Sequence, residues 1–414
     1  MKNIWIFNHY AGPPSVTTGL RHYYFAKELI AAGYSVTVFA ASTVHNTDRN
    51  LIEDDHPYLE MEEDGVPFVF VRTDSYQGNG KKRIINMLQY YRRLFKVTKH
   101  FSKPDVIIGS SVHPLACVAA IKLAKKHRCR CIAEIRDLWP ESIATYGILS
   151  KRNPLMKLLY AGEKWIYRKA DALIFTMEGG KDYLTEKGWD KDIPLDKVYH
   201  INNGIDLESY RENRQGFQFD DADLEDSSTW KVIYTGSIRR VNHLQTLVLA
   251  AEELQKRQAE RIRLLVYGDG DEREALEKLA AEKGLQNIVF KGRVDKKYIP
   301  YVLSCADINL IHVQNTPIMR FGCSLNKLFD YFASGKPILS DLSANYDLIK
   351  RYQAGIVLDT QEPTAIADEI CRLAEMPAEE RSIMGQNALQ AAKDHDYSNL
   401  TKRLIEVLEI TRDI

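Results

Sequence analysis

The sequence predicts an α/β protein built as two doubly wound domains. Three observations carry this. Short apolar runs alternate with stretches of helical period along most of the chain, the pattern of parallel sheets with crossover helices. The alternation breaks at "RENRQGFQFDDADLEDSST" and then restarts. A length of 414 residues also exceeds what one hydrophobic core holds, about 250–300 residues.

In the first half the strand candidates are "NIWIFNH", "SVTVFAAS", "PFVFVR", "PDVIIGSS", "CIAEIRD", "ALIFTM" and "VYHINNG". Helical periods cover 19–32, 116–127 and 153–169 between them, and Gly33 stops the first of these. After the break come the strand "WKVIYTGS", a helix over 244–258, "RLLVYGDG", a helix over 272–283, "IVFKG", a short helix and "DINLI". "NKLFDYFASGKPIL" and "AGIVL" follow. This gives a first domain over 1–210, a linker over 211–230 in which Asp221 and Asp223 are solvated charge, and a second domain over 231–396. A last helix, 397–414, is a candidate to pack back on the first domain. Each sheet offers its strand carboxyl ends as a ligand site.

Composition is that of a soluble globular chain, 45% hydrophobic and 27% charged with zero formal net charge. The first 210 residues carry a surplus of five positive charges and the rest a surplus of five negative. That modest asymmetry does not point to nucleic acid. The opening apolar run is too short for a signal peptide or a membrane span. The six cysteines show no metal-ligand spacing and read as reduced thiols. Asp269-x-Asp271 sits in a Gly-rich turn entering a helix, where acids complement the helix dipole. No metal site is expected.

Two turns place glycines and cations at strand ends: "YTGSIRR", with Gly236, Arg239 and Arg240, and "YGDGDERE". Such turns bring backbone N–H groups and positive charge towards an anionic ligand, although turn chemistry alone also explains them. In "SLNKLFDYFASGKPIL", Lys327 and Asp330 stand three apart on one helical face ahead of a buried strand. A surface ion pair, worth about 0.2–0.5 kcal/mol, is the plain explanation.

Together these stretches, with "GLRHYYFAKELIAAGYSVTVFA", "HINNGIDLESY" and "LLVYGDGDEREALEKLAAEKGLQNIVFKGRVDKKYIPYVLSCADINLI", span most of the chain in one order. The chain resembles a glycosyltransferase of family four, a retaining GT-B enzyme with two Rossmann-like domains facing across a cleft. "EIRDLWPES" resembles the bacterial surface-polysaccharide, fucosaminyl-transferase-like branch. The resemblance implies a nucleotide-sugar donor, with UDP favoured over GDP, a lipid-linked saccharide acceptor, and no cofactor or metal. It places Asp330 on the ribose hydroxyls and Lys327 with Arg239 on the leaving diphosphate. Gly236, Arg240, Arg293, Gly322, Cys323, Ser324 and Leu325 line the donor. In the first domain it implies Gly12 and Gly19 as points of close backbone approach, His113 at the reacting sugar, and Arg136 with Asp137 on the acceptor side, where the two could also simply pair.

The pattern departs from the family where Gly322 stands for the first of two glutamates and Asp330 for the second. Ser237 and Asn242 stand for the usual Arg and Lys. A nucleotide-sugar 2-epimerase and a non-catalytic nucleotide-binding or docking subunit are the alternative readings.

From Ser75 to Pro104 there are eight Lys/Arg and no acid. Arg92, Lys96, Lys99 and Lys103 fall on one helical stripe, and Ile84, Leu88, Tyr91 and Phe95 on another. A basic amphipathic helix suits an anionic membrane surface, or its apolar stripe packs on its own domain. The expected location is cytoplasmic, at the inner face of the cell membrane.

Overall fold

The computed structural model describes residues 2–410 apart from 46, 77, 79 and 112. The chain divides into two compact units, Met1–Asn202 with Tyr397–Ile414, and Asn203–Asp396.

The first unit runs β1 (Asn3–Phe7), α1 (Arg21–Ala31), β2 (Ser35–Ala41), β3 (Tyr58–Glu63), β4 (Val66–Val71), α2 (Lys81–Val97), β5 (Val106–Ser110), α3 (Pro114–His127), β6 (Arg130–Ile135), α4 (Trp139–Thr145), α5 (Pro154–Lys169), β7 (Ala172–Phe175), α6 (Gly180–Glu186) and β8 (Val198–His200). Its sheet order is β3-β4-β2-β1-β5-β6-β7-β8. Only β3 pairs antiparallel among these strands. It forms a hairpin with β4 through Asp64 and Gly65, both at positive φ, the geometry of a tight primed turn. The inner strands bury nearly every side chain, as strands covered on both faces must.

A buried polar knot ties this sheet together. The Glu134 carboxylate on β6 accepts from Arg21 Nε at 2.9 Å, Ser110 Oγ at 2.6 Å and His22 Nε2 at 2.8 Å. Arg21 also donates to the carbonyls of Ile201 and Asn202. Burial works to raise the Glu134 pKa, but the Arg21 and His22 side chains outweigh it and hold the carboxyl well below its ordinary range.

The second unit runs α7 (Leu207–Gly216), α8 (Ala222–Glu225), β9 (Trp230–Thr235), α9 (Gln245–Lys256), β10 (Ile262–Tyr267), α10 (Arg273–Glu282), β11 (Ile288–Gly292), α11 (Ile299–Ser304), β12 (Ile308–Ile311), α12 (Asn326–Ser334), β13 (Ile338–Ser340), α13 (Leu348–Tyr352), β14 (Gly355–Val357), α14 (Pro363–Glu375) and α15 (Ala378–Asp394). Its sheet is parallel, in the order β11-β10-β9-β12-β13-β14. The last helix, α16 (Tyr397–Glu409), belongs to the first unit. It stacks Tyr397 on Tyr24 of α1 at 5.0 Å between ring centroids and takes Arg130 on its last carbonyls.

The expected linker over 211–230 is corrected. The boundary falls at 202/203, and α7 and α8 occupy that stretch within the second unit. Asp221 is buried rather than solvated: it accepts from Lys291 Nζ at 2.7 Å and Tyr267 Oη at 2.8 Å, and Lys291 also holds Asp223. The acidic run is the counter-charge to a lysine 70 residues away, which no local pattern reports.

Candidate functional site

Strand order reverses between β9 and β12 in the second unit and between β1 and β5 in the first. Open parallel sheets bind ligands outside the strand carboxyl ends at such points.

In the second unit α12 presents the opening stretch to that edge. Leu328, Phe329, Tyr331 and Phe332 bury its apolar face, and Gly335 ends it in the left-handed conformation at φ 69°. The Tyr331 hydroxyl accepts from the Thr235 N–H at 2.8 Å and reaches the Leu310 carbonyl at 3.3 Å, which pins the helix to the ends of β9 and β12. This fixes Lys327. Its Nζ is buried and has no hydrogen-bond partner among the described residues. It stands 4.0 Å above the Tyr234 ring and does not pair with Asp330. A Cβ on Gly236 would come within 2.5 Å of it, and Gly236 holds φ +147°. Burial lowers the lysine to about 7. An ammonium without counter-charge costs several kcal/mol to bury, and the aromatic face offsets only about 0.5–2 kcal/mol of that. The plain surface pair is therefore excluded. The group is poised for an anion.

Asp330, one turn on, has its carboxyl pushed up by burial while Lys296 pulls the other way. Arg239, Arg240 and Arg293 stand exposed after β9 and β11 and make no ion pair among the described residues. Gly322 turns the chain at φ 84° ahead of α12. Cys323 and Leu325 pack against a small cluster with Val313, Met319 and Leu342, and burial pushes the Cys323 thiol up to about 12. Ser324 is held by Asn203, whose N–H and amide reach its hydroxyl and carbonyl at 3.1 and 2.9 Å. The second Gly-rich turn is structural: Cβ atoms at Gly268 and Gly270 would strike the Gly236 and Ile238 carbonyls at 1.8 and 2.2 Å. Asp269 caps the Gly270 N–H at 2.9 Å.

In the first unit His113 precedes α3 at the end of β5. It is buried, and neither ring nitrogen has a partner among the described residues. Burial, assisted by the Arg83 cation, lowers it to about 3, so the imidazole is neutral. His9, just after β1, packs edge-on against it at 4.7 Å and fixes its own Nε2 on Asn86 Oδ1 at 2.7 Å. Tyr90 of α2 packs edge-on against His9 at 4.8 Å, and the sequence reading names none of His9, Asn86 and Tyr90. His9 stood in plain view after the first strand, and its position was the signal.

Gly12 and Gly19 keep negative φ, and a Cβ on Gly12 would crowd Val16 and Thr17 at 3.1–3.3 Å. Gly12 thus serves its own loop. Arg136 and Asp137 do not pair with each other among the described residues; the Arg136 N–H donates to Ser111 Oγ at 3.3 Å. Asp137 keeps access to solvent, but its concave surround desolvates the carboxyl and raises it.

The basic stripe needs a correction. α2 ends at Val97, so Lys99 lies in a 3-10 turn and Lys103 beyond it, while Arg92 and Lys96 stay exposed on α2. The helix buries Met87, Tyr90, Leu94 and Val97. Of the other apolar stripe Ile84 and Leu88 are exposed, with Ile85 beside them, while Tyr91 and Phe95 are half-buried and Tyr91 accepts from Lys122 of α3, so only the first half of that stripe is left uncovered. No helix among the described residues is long and apolar enough to cross a membrane.

Residues 21–209 match the family model Glycosyltransferase Family 4, and residues 217–391 match Glycosyl transferases group 1. An uncharacterised glycosyltransferase of Methanocaldococcus jannaschii is 26% identical over 253 residues, 58% of this chain and 61% of that one. The Pseudomonas aeruginosa protein named "Probable glycosyltransferase WbjE" is 22% identical over 408 residues, 94% of each chain. Among solved structures, Anabaena HepE in complex with UDP and glucose superposes with a TM-score of 0.69 at 15% identity, covering 99% of this chain and 100% of that one. The two parallel sheets, the strand-edge sites and the paired family models agree: the chain belongs to the family-four GT-B glycosyltransferases.

Proposed function

We propose that the enzyme moves a sugar from a UDP-sugar to a saccharide acceptor carried on a lipid, retaining configuration at the anomeric carbon and using no metal ion. The observation that carries this is Lys327, a buried cation without a partner beside Gly236. A diphosphate supplies the missing counter-charge. Charge grows on that diphosphate as the sugar departs, so Lys327 with Arg239 acts more strongly in the transition state than in the ground state. Asp330 accepts from the ribose diol. His113, neutral and unpartnered, hydrogen-bonds the reacting sugar, with Asp137 on the acceptor side. The UDP and glucose of the HepE complex support the choice of donor.

The lipid and the setting, surface-polysaccharide synthesis at the inner face of a cell membrane, rest on the resemblance of "EIRDLWPES" and on α2. That helix offers exposed Ile84, Ile85 and Leu88 beside Arg92 and Lys96, an apolar and basic face suited to anionic lipid. Reversing charge at Arg92, Lys96 and Lys99 then lowers binding to anionic vesicles and leaves UDP affinity intact.

Calorimetric titration with UDP and GDP tests the donor reading. UDP is expected to bind, and Asp330→Ala to weaken it about tenfold, or about 1.4 kcal/mol. Binding of neither nucleotide would overturn the proposal.

A further inference from the structure

A groove of about 370 Å³ opens on the first unit between α3, α4 and α5, within the size range of small-ligand sites, about 300–1,000 Å³. Its walls are almost wholly apolar. Leu115 and Val118 of α3 face Leu158 and Trp165 of α5, with Trp139 at one side. Leu158 is 67% exposed, which is unusual for a leucine set among so many apolar neighbours.

Gly162, in the middle of α5, explains the opening. Glycine in a helix interior costs about 1 kcal/mol relative to alanine, and nothing lies within 4 Å of where its Cβ would stand. The helix therefore gives up stability at a position where packing does not demand it. What the missing side chain leaves is room in the groove.

The ends differ. Ser111 and Asp137, which follow β5 and β6, mark the strand-edge end. Lys122, eight residues along α3 from Pro114 and so about 12 Å away by helix rise, marks the other. The Glu163 carboxylate in the wall is already satisfied by the Tyr167 and Tyr183 hydroxyls at 2.7 and 2.8 Å. Lys122 donates to the Tyr91 hydroxyl at 2.8 Å, joining the groove to the face of α2 that carries exposed Ile84, Leu88, Arg92 and Lys96.

We infer that this groove holds the hydrocarbon chain of the acceptor lipid itself, with the polar head at Ser111 and Asp137 and the chain running along α3 and α5 towards α2. This rests on the lipid-acceptor reading above and deepens it. The cations around the far mouth complement the anionic surface from which such a lipid is drawn, and the strand-edge end delivers its head where the acceptor side was placed.

The test is titration of the full-length protein with farnesyl phosphate, read by tryptophan fluorescence because Trp139 and Trp165 line the groove. Gly162→Phe fills the space, and Gly162→Ala controls for helix propensity. Saturable binding by the wild type is expected, with at least a tenfold loss in Gly162→Phe, an unchanged or higher Tm, and no change in UDP affinity. Equal affinity in Gly162→Phe overturns the groove while sparing the lipid acceptor. No binding by the wild type overturns both, and the UDP titration of the same sample shows whether the donor reading stands. If phosphatidylglycerol vesicles free of prenyl phosphate give the same signal with the same Gly162 dependence, the groove serves bulk lipid and the inference fails.

Discussion

Lys327 and His113 occupy equivalent places in the two units, each beside the point where strand order reverses, and each is buried without a hydrogen-bond partner among the described residues. They differ in charge. The lysine keeps a proton available near neutrality, while the histidine is driven down to about 3. An unpaired ammonium attracts an anion strongly. A neutral imidazole exchanges single hydrogen bonds with hydroxyl groups. On the proposed reading, the same topological position serves a diphosphate in one unit and a sugar in the other.

The contrast breaks most sharply at Lys327. Lys327→Met should lower UDP affinity about 100-fold, near the upper end of the 1.5–3 kcal/mol assigned to hydrogen bonds with charged groups. Tm of the free protein should rise at pH 6, since a buried charge has been removed. A loss of both binding and stability would show a structural lysine instead.

The pH dependence follows from the same group. Its folded pKa, about 7, lies below the ordinary 10.5. Between those values the unfolded chain binds more protons, so the stability contributed here rises with pH across that window. UDP favours the ammonium, so binding should take up close to one proton at pH 8 and weaken about tenfold towards pH 9. Calorimetry in two buffers of different ionisation enthalpy reads the uptake, and Lys327→Met should abolish it.

His113→Ala should slow turnover about tenfold, the loss of roughly 1.4 kcal/mol from one hydrogen bond, with UDP affinity unchanged. Altered UDP affinity would break the division of labour. The smallest effect is expected at a paired charge. Asp221→Asn weakens the Lys291 contact and should cost about 1 kcal/mol, a Tm fall of about 2–4 °C, without touching UDP.

Most of this fold is legible in the chain because buried parallel strands announce themselves as apolar runs between amphipathic helices. β3 is not, since "YLEMEE" is an acidic edge strand; only its Asp64–Gly65 turn hinted at the hairpin. α7 and α8 were hidden by their polarity. In the site, Lys327 and Asp330 could be read as a pair on one helical face, but the ring under the lysine comes from Tyr234, 93 residues earlier, and its isolation exists only in three dimensions. Asn86 and the knot around Glu134 are invisible for the same reason, whereas the place of His9 after the first strand is a signal that the sequence does carry. The basic stripe reads longer in the sequence than it is, because helical period does not mark where α2 ends, at Val97.

The place of α16 has a consequence for synthesis. The helix that covers Tyr24 and completes the first unit is translated only after the whole of the second. At roughly 5–20 residues per second, the first unit waits about 10–40 s with that flank of α1 uncovered. The second unit, continuous in sequence, can close in that interval. Assembly is then out of order with the reading of the message, and that flank of α1 stays uncovered until the last helix is made.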